Sequence, residues 1–300
     1  MRFAAFRQNG VKGLATATGD GGPFHGYAVT DSKFPGHLGD LIALGGSERL
    51  LAAGRALLAG PEIDLEAVEL PPPLPSPGKI ICVGLNYAEH SAESGYELPA
   101  YPTIFGRFAS SLSGHGAPIV RPRVSEQLDY EGEFVAVIDR GGRDIPKERA
   151  LEHVLAYSLF NDASIRDYQF KAPQWTVGKN FDSTGAFGPY LVTADELPPG
   201  CRGLRLQTRL NGAVVQSAST DDLVFDVATL VSLLSEAFTL DPGDIIVTGT
   251  PSGVGLARKP QLWMKPGDVC EVELEGIGVL RNPVVDKAVD RTEMPEHAAA

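Results

Sequence analysis

The chain switches its hydrophobic period several times, and each switch marks an element. Lys79-Ile80-Ile81-Cys82-Val83-Gly84 is a short unbroken apolar run ending in glycine, the mark of a strand buried on both faces. Glu133–Asp139 has the same character. Leu204–Leu210 alternates strictly, and Asn211-Gly212 then supplies a type I′ turn into a second strand over Ala213–Gln216. Val269–Leu274 alternates Cys270, Val272 and Leu274 against Glu271 and Glu273, and Asp244–Val247 reads as a further strand. Asp226 can cap a helix over Val227–Phe238, with Val227, Leu230, Val231 and Leu234 on one face. Pro146 followed by Lys147–Ser158 predicts a helix with proline in its first turn. Before these elements, the sequence offers a short first strand, a glycine-rich turn at Gly19–Gly22 and a helical stretch at Ser47–Leu58.

Proline draws the one clear boundary. Pro71-Pro72-Pro73-Leu74-Pro75-Ser76-Pro77 favours extended chain and cannot join a helix or a central strand. The organisation expected is a small N-terminal unit over 1–70, a connector over 71–78, a main domain over 79–288 and a fraying tail over 289–300. Strands outnumber helices, and several are joined locally. The fold class is therefore α+β with β dominant, a sandwich or rolled sheet.

Composition narrows the function. With 26 Lys+Arg against 38 Asp+Glu, the net charge of −12 argues against nucleic acid or an anionic membrane as partner. No charge-free run reaches the roughly 18 residues a transmembrane helix needs. Arg7 interrupts the start before a signal-peptide core can form, and Cys82, Cys201 and Cys270 show no paired spacing. The expectation is a cytoplasmic protein without a disulfide framework or zinc–thiolate site.

Four clusters carry candidate chemistry. In Asp129-Tyr130-Glu131-Gly132-Glu133, an extended backbone puts Glu131 and Glu133 on one face, about 6.5–7 Å apart along the strand. Two like charges there need solvent, a proton or a cation. A solvated acidic edge is the bland alternative. Asp162, closing the apolar segment Leu155–Phe160, tips the balance, because three oxygen ligands suit Mg²⁺ or Mn²⁺. His90 and Glu93 stand at i, i+3, so on a helix the carboxylate would orient the imidazole as a base toward water. Taken alone they read as an incidental surface pair, but they follow a buried strand end. Arg166, Gln169 and Lys179 are placed to hold a substrate carboxylate or an enolate, unless Arg166 merely pairs with Asp162 or Asp167. Gly249-Thr250-Pro251-Ser252-Gly253-Val254-Gly255 offers backbone N–H groups and the Thr250 hydroxyl to an anion, or is only a tight loop.

Taken together, in order, these motifs resemble the fumarylacetoacetate hydrolase family. The resemblance runs through Gly84-Leu85-Asn86-Tyr87, His90 and Glu93, Pro102-Thr103-Ile104-Phe105, Tyr130-Glu131-Gly132-Glu133, Asn161-Asp162 with Arg166 and Gln169, Trp175 with Lys179, and Gly249–Gly255, over roughly 79–285. It implies a mixed β-sandwich roll, in a homodimer, with a small N-terminal domain. It implies Glu131, Glu133 and Asp162 as ligands of Mg²⁺ or Mn²⁺, and His90 with Glu93 as a water-activating dyad on a closing lid. Lys179 would stabilise an enolate, with Arg166, Gln169 and Thr250 near the substrate. The activity expected is cleavage of a C–C bond in an acylpyruvate-like 2,4-dioxo acid. The alternative is a decarboxylase, isomerase, lyase or hydratase of a 2-oxo acid built on the same site. A binding protein with a decayed site would lack a ligand or the dyad, and this chain has both. Residues of Ser94–Tyr101 and the vicinity of Gln174 are expected to shape the distal end of the pocket.

Overall fold

A computed structural model describes residues 1–288, so the tail expected over 289–300 lies outside the described residues. Two large sheets carry the fold. The first has ten strands. Its order runs from His25–Ala28 through Val11–Ala17, Arg2–Gln8, Gly185–Thr193, Val154–Asp162, Gly132–Ile138, Ile245–Val247 and Ile80–Gly84 to Thr103–Gly106, with Leu112–Ser113 joined to Gly185–Thr193. The second runs from Ala213–Ser219 through Arg205–Leu210, Val269–Leu274 and Gly278–Asp286 to Ile119–Arg121. Pairing is mostly antiparallel, and helices are few. The α+β, β-dominated roll expected from the sequence is what the chain forms.

The unbroken apolar runs have a simple cause. In Gly132–Ile138, Phe134, Ala136 and Ile138 enter a core shared with the second sheet and the helix Val227–Ala237. Val135 and Val137 enter another core beneath the helix Leu38–Leu57. Ile81 and Val83 divide from Ile80 and Cys82 in the same way. Both faces are covered, so neither can be polar. Gly132 keeps this strand close to the second sheet, since a Cβ there would lie 1.9 Å from Thr208 Oγ1.

Local signals place the helix caps and the hairpin. Asp226 accepts from the Thr229 amide at 2.8 Å and starts Val227–Ala237. Asn211-Gly212 joins Arg205–Leu210 to Ala213–Ser219. The helix expected at Ser47 begins earlier, at Leu38, but its backbone breaks at Gly46 (φ 53°). It restarts where the Ser47 amide donates to Asp139 Oδ1 at 2.6 Å.

One element differs in kind. Lys147–Ser158 is not one helix: Lys147–His153 forms a 3₁₀ turn, and Val154–Asp162 is a central strand with every residue buried. The aromatic and branched side chains of Val154-Leu155-Ala156-Tyr157-Ser158-Leu159-Phe160 fit a pleated surface covered on both sides, and this tertiary demand overrides the proline start signal.

Residues 1–70 add their three strands to the first sheet, where Arg2 and Phe3 pair with Val192 and Leu191. Phe3, Leu14 and Leu41 share a core with Val135, Phe160 and Leu191. Among the described residues, no helix is long and apolar enough to cross a membrane. Cys82, Cys201 and Cys270 are buried free thiols.

Candidate metal and substrate site

Register assembles the acidic trio. Gly132–Ile138 and Val154–Asp162 are antiparallel neighbours, with Glu133 opposite Phe160 and Gly132 opposite Asn161. The Asp162 amide donates to the Glu131 carbonyl at 2.8 Å, which brings Asp162 beside the two glutamates. All three side chains are buried, and one carboxylate oxygen from each lies within 4.8 Å of the others.

Charge bookkeeping shows what the trio lacks. Lys179, on the turn Thr176–Lys179, reaches Glu131 Oε2 at 2.5 Å and Asp162 Oδ2 at 2.6 Å. Arg166 pairs with Glu131 Oε1 at 2.7 Å and with Asp129 Oδ2 at 2.8 Å. Arg107 Nε faces Asp162 Oδ1 at 2.5 Å, yet that oxygen accepts no hydrogen bond among the described residues. Three cations thus serve four buried carboxylates, and Glu133 is the one left out. Among the described residues its Oε2 accepts the Gly249 amide alone, at 2.5 Å.

The titration behaviour follows. Burial raises the Glu133 carboxyl well above its ordinary range, and the Asp162 and Glu131 charges raise it further. Burial also raises Asp162, against the pull of Lys179 and Arg107. Burial would raise Glu131 too, but Lys179 and Arg166 outweigh it and hold the carboxyl at about 2. Burial would strip the proton from Lys179, yet Asp162 and Glu131 raise its pKa and keep the ammonium charged. Three buried carboxylates converge here, and among the described residues Glu133 has no ion-paired cation, a donor set that fits a hard divalent ion.

His90 and Glu93 lie on the short helix Ala88–Glu93, with His90 Nδ1 at 2.9 Å from Glu93 Oε1. His90 is 7% exposed and lines the same pocket as the trio, which puts the pair beside the candidate site. Gln169 accepts from Arg166 Nη1 at 2.9 Å. Arg166 Nη2 is buried without a hydrogen-bond partner among the described residues and is left for a ligand oxygen. Arg166 pairs with neither Asp162 nor Asp167; Asp167 instead accepts from Ser125 Oγ at 2.6 Å. Thr250 lines the pocket, donating to the Gly132 carbonyl at 3.0 Å and accepting from Gln216 Nε2 at 2.8 Å.

The glycine-rich loop works differently from the anion cradle its sequence suggests. Its amides go to the protein's own carboxylates. Gly249 N–H serves Glu133; Gly253 N–H serves both oxygens of Glu93 at 3.0 Å; Gly255 N–H serves Asp129 at 2.7 Å. One loop therefore aims a candidate ligand, the dyad and the carboxylate that fixes Arg166. Asp129 and Gln216 are neighbours of the candidate site that sequence reasoning missed. Asp129 stood in the quoted acidic motif, but nothing local distinguished it from a solvated aspartate. At the distal end, Ser94 and Tyr96 line the pocket as expected, whereas Gln174 is exposed and its neighbour Trp175 lines the wall instead.

Known proteins resemble this chain along most of its length. Residues 79–285 match the model of the fumarylacetoacetate hydrolase C-terminal domain. Oxaloacetate tautomerase fahd2, mitochondrial, of Xenopus laevis is 38% identical over 89% of this chain and 84% of its own length. A fumarylacetoacetate hydrolase from Exiguobacterium antarcticum superposes with a TM-score of 0.83 at 36% identity, covering 96% of this chain and 100% of that one. A maleylpyruvate hydrolase from Sphingobium, solved with manganese(II) and pyruvate, superposes with a TM-score of 0.76 at 27% identity, over 96% of this chain and 100% of that one.

Proposed function

This chain belongs to the fumarylacetoacetate hydrolase family, and we propose that it hydrolyses a C–C bond in an acylpyruvate-like 2,4-dioxo acid. The observation that carries the reading is the His90–Glu93 pair, held at the same pocket as the acidic trio. A divalent cation, Mg²⁺ or Mn²⁺, held by Glu131, Glu133 and Asp162 would supply Lewis acidity toward the 2-oxo acid. The manganese and pyruvate of the Sphingobium hydrolase support that pairing of ion and acid.

The chain's own residues do the remaining work. Glu93 accepts the Nδ1 proton of His90, which leaves the Nε2 lone pair free to take a proton from water. The hydroxide adds to the distal carbonyl carbon. When the adduct collapses, the C–C bond breaks and its electron pair passes to the pyruvate half as an enolate. The cationic Lys179 and Arg166 offset the charge on that enolate. The proton on His90 Nε2 returns to the methylene carbon, and pyruvate and a carboxylic acid leave.

The tautomerase relative favours a second reading, in which His90 shuttles a proton between carbon and oxygen of a 2-oxo acid without adding water. Acetylpyruvate, fumarylpyruvate and oxaloacetate, assayed side by side with Mg²⁺ and Mn²⁺, separate the two. Pyruvate and acid released from an acylpyruvate support hydrolysis. Keto–enol exchange or CO₂ release, with no acylpyruvate cleaved, rejects it.

A further inference from the structure

Resting on that reading of the site, we propose that the pocket selects 2-oxo acids whose far end is uncharged and apolar, and disfavours those ending in a second carboxylate. The pocket lining falls into two chemically different groups. Its charged lining residues, His90, Glu131, Glu133, Asp162, Arg166 and Lys179, belong to the dyad and the ion-paired cluster. The remaining wall is built largely from Leu85, Tyr96, Phe105, Phe170 and Trp175; among the described residues it adds no lysine or arginine of its own, and the one cation near it is Lys179, 5.0 Å from the Phe105 ring and already paired with Glu131 and Asp162.

That wall is preformed. A Cβ at Gly84 would lie 2.3 Å from Trp175 Cζ3, so the indole rests directly on bare backbone. Phe105 meets it edge-on at 5.7 Å and Tyr96 at 6.3 Å. Leu85 is only 8% exposed despite a φ of 58°, a left-handed conformation that leucine rarely adopts. Tyr96 and Phe170 remain 42% and 50% exposed, apolar surface that a ligand tail would cover.

The donors at the charged end suffice for one acid group. Arg166 Nε and Nη1 are committed to Asp129, Glu131 and Gln169, and only Nη2 is open. A second carboxylate against the aromatic wall would lose its water and meet only neutral donors there, the Tyr96 and Ser94 hydroxyls and the Trp175 indole N–H, with no cation to pair with it. An alkyl or aryl tail would gain by burial on the same surface.

The test uses 2-oxo acids that cannot be cleaved, so it does not depend on the proposed hydrolysis. With full-length protein and Mg²⁺, calorimetry compares pyruvate, 2-oxohexanoate and 2-oxoadipate. The expected result is 2-oxohexanoate binding about tenfold tighter than pyruvate, and at least about tenfold tighter than 2-oxoadipate. Binding of 2-oxoadipate as tight as that of 2-oxohexanoate, or no gain over pyruvate, overturns the proposal. Phe170→Arg, at an exposed position on the wall, should shift the ratio several-fold toward 2-oxoadipate; an unchanged ratio would mean the tail lies elsewhere and also overturns it. Failure of the acylpyruvate assay would remove the reaction while leaving this ranking intact.

Discussion

Two low-exposure charge clusters in this chain are built to opposite ends. At the chain start, Arg2 donates to the carbonyls of Gly276 and Ile277 at 2.7 and 3.2 Å and pairs with Glu196 at 3.2 Å. Glu196 also accepts from the Met1 ammonium at 2.8 Å and from the Gly19 amide at 3.1 Å. Burial works against the Glu196 charge, but these partners outweigh it and lower its pKa below the ordinary value of 4.5. In the pocket, three cations face four carboxylates, and the pKa values of Glu133 and Asp162 rise instead. The first cluster is satisfied and holds the N-terminal strands to the sheet. The second is left one cation short, which costs stability and creates a place for an ion.

The contrast is sharpest under truncation. Glu131→Ala removes the partner of both Lys179 and Arg166, so we expect a loss of about 3–5 kcal/mol by denaturant unfolding, together with loss of metal uptake in calorimetry. His90→Ala should leave metal uptake intact while kcat falls by about 10²–10⁴; unchanged turnover would take His90 out of the mechanism. Arg2→Ala should cost about 2 kcal/mol, and the folded fraction should still bind metal with wild-type affinity. Glu133→Gln should go the other way, because it removes a charge that has no cation. The metal-free variant should melt higher than the wild type, by about 1 kcal/mol in stability, and should gain nothing from added Mn²⁺.

pH separates the clusters with the smallest expected effect. Glu196 has its folded pKa below 4.5, so its contribution is fully present above that pH and is lost as pH falls through the folded value. Glu133 has its folded pKa raised above 4.5, so the metal-free fold is favoured by a proton there and loses stability as pH rises through the folded value. Melting scans of metal-free protein should therefore show an acid-side decline that Arg2→Ala weakens. They should also show a decline toward higher pH that Glu133→Gln or bound Mn²⁺ removes. If Mn²⁺ stabilises the wild type equally at every pH, the account of Glu133 as the ion's vacant partner is wrong.

Much of the site was legible because its signals are short. The His90–Glu93 spacing needs only one helical turn, and Glu131 with Glu133 needs only a strand period. Asp162 was readable as the end of an apolar run, but only the pairing of that run with Gly132–Ile138 and the Asp162 amide bond to the Glu131 carbonyl put it beside the glutamates. The pairings of Arg107 and Asp129 were not legible. They exist only because Asp162 and Arg166, from distant chain segments, are buried against them.

The sequence by itself determined what neighbours within a turn or two decide: the Asn211-Gly212 hairpin, the Asp226 cap, the doubly buried strands and the candidate carboxylates. Those features follow from backbone sterics, side-chain period and local hydrogen bonds, which act over a few ångströms along the chain. Only the tertiary structure decided that Val154–Ser158 is strand, that residues 1–70 extend the main sheet, and that the loop amides serve carboxylates. It also decided which cation meets which carboxylate. Those outcomes depend on which groups lose their water together, and desolvation is set by contacts between segments far apart in number.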